Sequence, residues 1–275
     1  MKKILYIALA LLSLCACRHK EPQVQLLPSE ERGYPLVSGH RGANCIAPEN
    51  TMASADSCIR YGIDVMETDV TVSKDGVFYL LHDNTLKRTT NGTGYPGEHD
   101  SEYLDKLDAG SWMGEQWAGQ HLLRFQDLLR KAHDNGLEVT VDYRRGDFKE
   151  MVDLIESEKM LEHTYFTFSS EKDMGRFREM YPDIKTLQAY VKTLDDLDRV
   201  IEEFHPNIIV NWIDRLTPEF VERCHAQRLQ VLALCLGLDD QTANNQKAVD
   251  LHVDVVATDR PEQFRKQFDY DGLGL

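Results

Sequence analysis

Basic charge is scarce in this chain: 31 Lys and Arg stand against 46 Asp and Glu over 275 residues, a formal charge of −15. That balance argues against nucleic acid, whose phosphates are bound by neutralising cations. A small phosphate ester stays open, because a few cations focused in one cleft outweigh the net charge locally. Glycine and proline are few, 17 and nine, and hydrophobic residues reach 42%, which excludes collagen-like and disordered chains. Cysteine is too sparse for a disulfide-built miniprotein. Of six, four lie in the body (Cys45, Cys58, Cys224 and Cys235), with no C-x-x-C pair among them and no histidines at zinc spacing. All four are expected to be buried small apolar residues.

The apolar run Ile4–Leu14 is too short to span a bilayer as a mature helix, and no later segment is long enough. Lys2 and Lys3 precede it and small residues follow it, which is the layout of a secretory signal. Leu14-Cys15-Ala16-Cys17 resembles the lipobox of bacterial lipoproteins, with cleavage before Cys17 and acylation of its sulfur. Residues 1–16 are thus read as a signal peptide and 17–34 as a lipidated tether. A folded domain is expected over 35–267, with a C-terminal tail at 268–275. The expected location is the cell envelope, periplasm-facing or on the outer-membrane surface, with the lipid anchor as the only membrane contact.

In the body, nine extended runs alternate with amphipathic helical stretches. The runs are Leu36–His40, Val65–Val70, Val77–His82, Glu138–Tyr143, Thr164–Phe168, Thr186–Val191, Ile208–Trp212, Val231–Leu236 and Val255–Thr258. Helical patterns include Thr51–Tyr61, Phe125–Asn135, Asp147–Glu158, Leu194–Phe204, Pro218–Gln227 and Asn244–Leu251. Repeated strand–helix–strand order implies a parallel sheet, and at this length a TIM (β/α)8 barrel is the economical architecture. A doubly wound open sheet is the alternative. The surplus run adjoins Lys74-Asp75-Gly76, a hairpin signal. A two-residue Asp75-Gly76 loop would set Asp69 opposite His82. After this third run, a segment at about 84–122 fits no strand–helix unit; it is read as a functional lid or a small inserted subdomain, and its place makes it a candidate cover for His82.

Glu67 and Asp69 lie two apart on a strand, so both carboxylates share a face. Asp142 and Arg144 repeat that spacing at the end of a later run. If both ends meet at one barrel mouth, three oxygen donors converge without a thiolate, which suits Ca²⁺ or Mg²⁺ better than zinc. His40 and His82 end two other runs and can serve as acid and base near neutral pH. Arg41 and Arg144 offer planar forks for phosphate oxygens. The set describes metal-assisted displacement at a phosphodiester.

His40-Arg41-Gly42, Pro48-Glu49-Asn50-Thr51, Glu67-x-Asp69, Lys74-Asp75-Gly76, His82-Asp83, Thr85-Leu86-x-Arg88-Thr89-Thr90-Asn91-Gly92, Asp108-Ala109-Gly110-Ser111-Trp112 and Thr258-Asp259-Arg260-Pro261 occur in this order. Together they resemble the glycerophosphodiester phosphodiesterase family over about residues 36–265. The resemblance implies a TIM barrel and hydrolysis of glycerophosphodiesters to glycerol 3-phosphate and an alcohol. It makes His40 and His82 the acid/base pair, Glu67 and Asp69 metal ligands, and Arg41 a phosphate contact. Two departures stand out. Asp142-x-Arg144 replaces the usual Glu-x-Lys, and Leu234-Cys235-Leu236-Gly237 lacks the usual tryptophan. Two other readings remain open: a lyase on a lysolipid that releases a cyclic phosphate, in the manner of the related sphingomyelinase D-like branch, and a non-catalytic binding lipoprotein.

Overall fold

The computed structural model describes residues 35–268; the expected signal peptide, the expected lipidation site Cys17 and nearly all of the C-terminal tail lie outside them. The strands are β1 (Leu36–Gly39), β2 (Val65–Val72), β3 (Phe78–Leu80), β4 (Glu138–Tyr143), β5 (Thr164–Phe168), β6 (Gln188–Tyr190), β7 (Ile208–Trp212), β8 (Gln230–Cys235) and β9 (Val255–Thr258). All except β3 run parallel in the order β5-β4-β2-β1-β9-β8-β7-β6. A parallel bridge between Phe166 and Leu187 brings β5 beside the start of β6 and nearly closes the ring. The fold is the eight-stranded TIM barrel.

Strand alternation sorts side chains between two cores. Val37, Met66, Val70, Val139, Val141 and Val256 face the outer layer against the helices, while Leu36, Val65, Ile208, Val210, Leu232, Val255 and Ala257 fill the barrel. The same parity sends His40, Glu67, Asp69, Asp142 and Asp259 to the interior side at the carboxyl ends of their strands, the face on which TIM-barrel sites are built. Register sets the levels, with Gly39 beside Met66 and Asp69 beside Asp142.

The helices follow their sequence signals closely. Helix α1 (Met52–Arg60) starts from a capping box in which Thr51 and Ser54 bond reciprocally. Phe125–Asn135 ends on Gly136 with φ of 67°, the left-handed cap that glycine adopts at little cost. Two expectations change. Cys58, Cys224 and Cys235 are buried, but Cys45 is exposed on the loop after β1. The β2–β3 hairpin pairs Val70 with Leu80 and Thr71 with Tyr79, so Leu81 rather than His82 lies beside Asp69, its N–H bonding the Asp69 carbonyl at 2.9 Å. A two-residue type I′ turn needs positive φ at both positions. Gly76 has it at 87° and Asp75 does not, so the loop takes three residues.

The segment 84–122 forms the small inserted subdomain of the two alternatives. It holds a short helix (Ser101–Leu104) and three 3₁₀ turns. Leu86, Leu104, Leu107, Ala109 and Leu122 pack with Tyr79 and Leu81 of the hairpin strand into a separate apolar cluster. Asp75 fastens the hairpin to it, accepting from Ser101 N at 2.8 Å and Ser101 Oγ at 2.6 Å. Gly92-Thr93-Gly94-Tyr95-Pro96-Gly97 has the spacing of a dinucleotide-binding turn. It lies inside this subdomain and leads into a 3₁₀ turn at Pro96–Glu98, so the strand–helix context which gives that motif its meaning is missing.

Candidate active site

Oxygens of Glu67, Asp69 and Asp142 lie within 4.8 Å of one another at the carboxyl end of the barrel. Each is held in place by its neighbours. The Arg41 backbone N–H donates to Glu67 Oε2 at 2.7 Å. Asn50 Nδ2 donates to Asp69 Oδ2 at 2.8 Å, while Asn50 Oδ1 accepts from Thr68 Oγ1 at 2.7 Å. Arg144 spans the two aspartates, with its NH2 at 2.6 Å from Asp69 Oδ1 and 2.7 Å from Asp142 Oδ2. In this arrangement Arg144 is first of all a counter-ion. Arg41 is committed similarly, to Glu49 at 3.0 Å and, through Nε, to Asp69 Oδ2 at 3.6 Å.

The cluster is still short of positive charge. Burial, reinforced by the Asp69 charge, pushes the Glu67 carboxyl up to about 8 against the opposing pull of His40. Burial likewise raises Asp142 to about 6, with Arg144 opposing and Asp69 adding. Asp142 Oδ1 is buried with no hydrogen-bond partner. An orphaned buried carboxylate oxygen is costly. Three carboxylates that repel one another, one of them with an unused inward oxygen, fit a hard divalent cation.

Both imidazoles stand on carboxylates. A carboxylate can only accept, so His40 Nδ1 donates to Asp259 Oδ1 at 2.7 Å and His82 Nδ1 to Asp83 Oδ1 at 2.8 Å. Asp259 is itself fixed by Asn44 Nδ2 and by the Gly237 N–H, each at 2.7 Å. Burial would lower the His40 pKa, but the Asp259 bond and the nearby Glu67 and Asp259 charges together raise it above its usual value. Asp259 is held well below the usual carboxylate range: burial opposes this, but His40 and the Gly237 N–H dominate.

Of the residues expected from sequence, His40, Arg41, Glu67, Asp69, Asp142 and Arg144 gather directly. His82 joins through a chain of contacts, Asp83 to Arg88 to Glu49 to Arg41. The sequence places Thr258-Asp259 beside His40 as the closing strand of the ring, with a structural role only; in the structure Asp259 also accepts a direct bond from His40. Its place two residues beyond the inward Ala257 was the available signal. Phe168 turns to the outer layer against Phe148 and Phe177, so it packs there and does not line the mouth. Trp212 keeps the inward parity of Ile208 and Val210.

The family model described as the glycerophosphoryl diester phosphodiesterase family matches residues 40–263. A glycerophosphodiester phosphodiesterase of Caldanaerobacter subterraneus is 25% identical over 82% of this chain and 95% of its own length. One from Bacillus subtilis is 26% identical over 84% of this chain and 85% of its own. The crystal structure of a glycerophosphodiester phosphodiesterase from Agrobacterium tumefaciens superposes with a TM-score of 0.78 at 30% identity, covering 84% of this chain and 99% of that one. An Oleispira antarctica phosphodiesterase, solved with its product sn-glycerol-3-phosphate, shares the fold with a TM-score of 0.77 at 22% identity, over 87% of this chain and 98% of that one. With both the motifs and the barrel accounted for, this chain belongs to the glycerophosphoryl diester phosphodiesterase family and is an enzyme of the phosphoric diester hydrolase class.

Proposed function

We propose that this enzyme hydrolyses glycerophosphodiesters to glycerol 3-phosphate and an alcohol, using one divalent cation, Ca²⁺ or Mg²⁺. The observation that carries the reading is the meeting of Glu67, Asp69 and Asp142 beside a carboxylate-bound His40. Those three carboxylates would hold the ion, which when bound offsets the charge of the phosphodiester and of its transition state.

The chain's own residues supply the rest. Because each Nδ1 is engaged, His40 and His82 both keep Nε2 for the reaction. One Nε2 takes a proton from the attacking water, or from a neighbouring hydroxyl of the substrate, in which case water must then open the resulting cyclic ester by a second displacement to give glycerol 3-phosphate. The new P–O bond forms as the P–O bond to the alcohol breaks, and the other imidazole protonates the departing alkoxide. Arg41 and Arg144 lie at the carboxylate cluster and are the phosphate contacts, where their forks offset charge on the nonbridging oxygens. We further propose that the chain is lipid-anchored in the cell envelope through Cys17; among the described residues no helix is long and apolar enough to cross a membrane.

A turnover screen over glycerophosphocholine, glycerophosphoethanolamine, glycerophosphoglycerol and glycerophosphoinositol, each with Ca²⁺ and with Mg²⁺, tests the proposal. Glycerol 3-phosphate is the expected product. A cyclic phosphate as the end product would assign the site to a lyase instead, and no turnover of any diester would leave a binding protein.

A further inference from the structure

We infer that Arg88, in the inserted subdomain, is a positioning residue that holds His82 and Arg41 in register with each other. The inference rests on the phosphodiesterase reading above. The Arg88 guanidinium donates to both oxygens of Glu49, NH1 to Oε2 and NH2 to Oε1, each at 2.8 Å. It also donates to both oxygens of Asp83, Nε to Oδ2 at 2.8 Å and NH2 to Oδ1 at 2.9 Å. Each carboxylate passes the constraint on. Asp83 Oδ1 accepts from His82 Nδ1 at 2.8 Å, and Glu49 Oε1 accepts from Arg41 NH1 at 3.0 Å. One planar cation therefore ties the loop after β1 to the chain after β3, and its outer partners are an imidazole and a guanidinium assigned to the reaction. Only a rigid fork with several donors can engage two carboxylates in this way; an ammonium acts as a point charge.

The mount is rigid as well. Leu86, two residues earlier, is fully buried in the apolar cluster of the subdomain. Its N–H bonds the Gly94 carbonyl at 3.0 Å, and its own carbonyl accepts from Thr90 N at 3.1 Å and Thr90 Oγ1 at 2.6 Å. Arg88 thus projects from a closed loop with a packed root. The subdomain is through this residue part of the site wall, which gives the position of the insertion, directly after His82-Asp83, a physical purpose.

Kinetics, melting and histidine ring NMR of Arg88→Ala and Arg88→Lys test this. The side chain is 41% exposed, so the melting temperature is expected to stay near that of the parent. The Arg88→Ala variant should lose up to about 10²-fold in kcat, the scale on which a misplacement of a reacting group by about 1 Å is felt, with KM changing far less. Arg88→Lys should recover only part of that loss. In the NMR spectrum the His82 ring signals should move in Arg88→Ala while those of His133 stay fixed, a readout that does not depend on turnover. Parental kcat together with unmoved His82 signals would overturn the inference, as would a loss of activity that merely follows a fall in melting temperature. A parent protein that cleaves no diester would overturn the functional reading, and the His82 signals would still decide the placement of Arg88.

Discussion

At the residue scale the site depends on charges that are balanced in pairs. His40 and His82 each hand one ring nitrogen to an aspartate and leave the other to the proposed acid–base step. His40→Ala and His82→Ala should each lower kcat by at least about 10²-fold, the lower range for removal of a general acid or base. Steady-state turnover with folding checked by circular dichroism measures this, and near-parental rates in either variant would remove that residue from the mechanism. Asp259→Asn keeps the shape of the Asp259 contact but removes its charge. Since the Asp259 bond is the largest of the contributions that, with the Glu67 charge, overcome the burial that would otherwise lower His40, the His40 ring should titrate at lower pH in this variant. A histidine NMR titration reads the change directly. The meeting of the carboxylates and Arg144 was legible in the sequence because spacing of two on a strand fixes a shared face, as for Glu67 with Asp69 and Asp142 with Arg144. Their partners were less so, because Asp259 meets His40 and Asn44 only through ring closure across some two hundred residues of chain.

At the element scale, boundaries were most legible where end signals were strong. The spans of β4, β5, β7, β9 and the helices Phe125–Asn135 and Leu194–Phe204 coincide with their hydrophobic patterns. The β2–β3 register was not legible, since one residue of loop length decides it and Asp-Gly permits more than one turn. The insertion was legible only as a gap in the strand–helix rhythm, because its small core is assembled from residues without periodic spacing. The loop from β1 to α1 makes an element-scale prediction. Gly42 has φ of 83°, and a Cβ there would lie 2.4 Å from Ser54 Oγ. Left-handed backbone alone costs a non-glycine residue about 1–2 kcal/mol, so Gly42→Ala should destabilise by at least that amount. Ser54 Oγ also donates to the Arg41 carbonyl, so the same variant should disturb the Arg41 contacts. Urea unfolding measures the first effect, and an unchanged midpoint would contradict it.

For the whole molecule, the acidic cluster links stability, pH and metal. Glu67 is raised from an ordinary 4.5 to about 8, so between those values the folded protein binds a proton that the unfolded chain does not. The corresponding stability is fully present below the unfolded value and is lost as pH rises through about 8. His40, also raised, acts in the same direction. The depressed carboxyls of Asp83 and Asp259 act oppositely, stabilising above their unfolded range and losing that contribution in acid. Metal-free protein should therefore melt at a lower temperature at pH 8 than at pH 5. A divalent cation should reverse the trend and release protons on binding, because its ligands must be ionised. Calorimetry in buffers of different ionisation enthalpy measures the proton count, and binding without proton release at pH 7 would contradict the assignment of Glu67.

The most direct measurement is phosphorus NMR of glycerophosphocholine with EDTA-treated protein, before and after Ca²⁺ or Mg²⁺ is added. The diester signal is expected to persist until the ion enters and then to give way to glycerol 3-phosphate. Conversion at full rate without any ion, or an intact diester with both ions, would contradict a catalytic rim built on Glu67, Asp69 and Asp142.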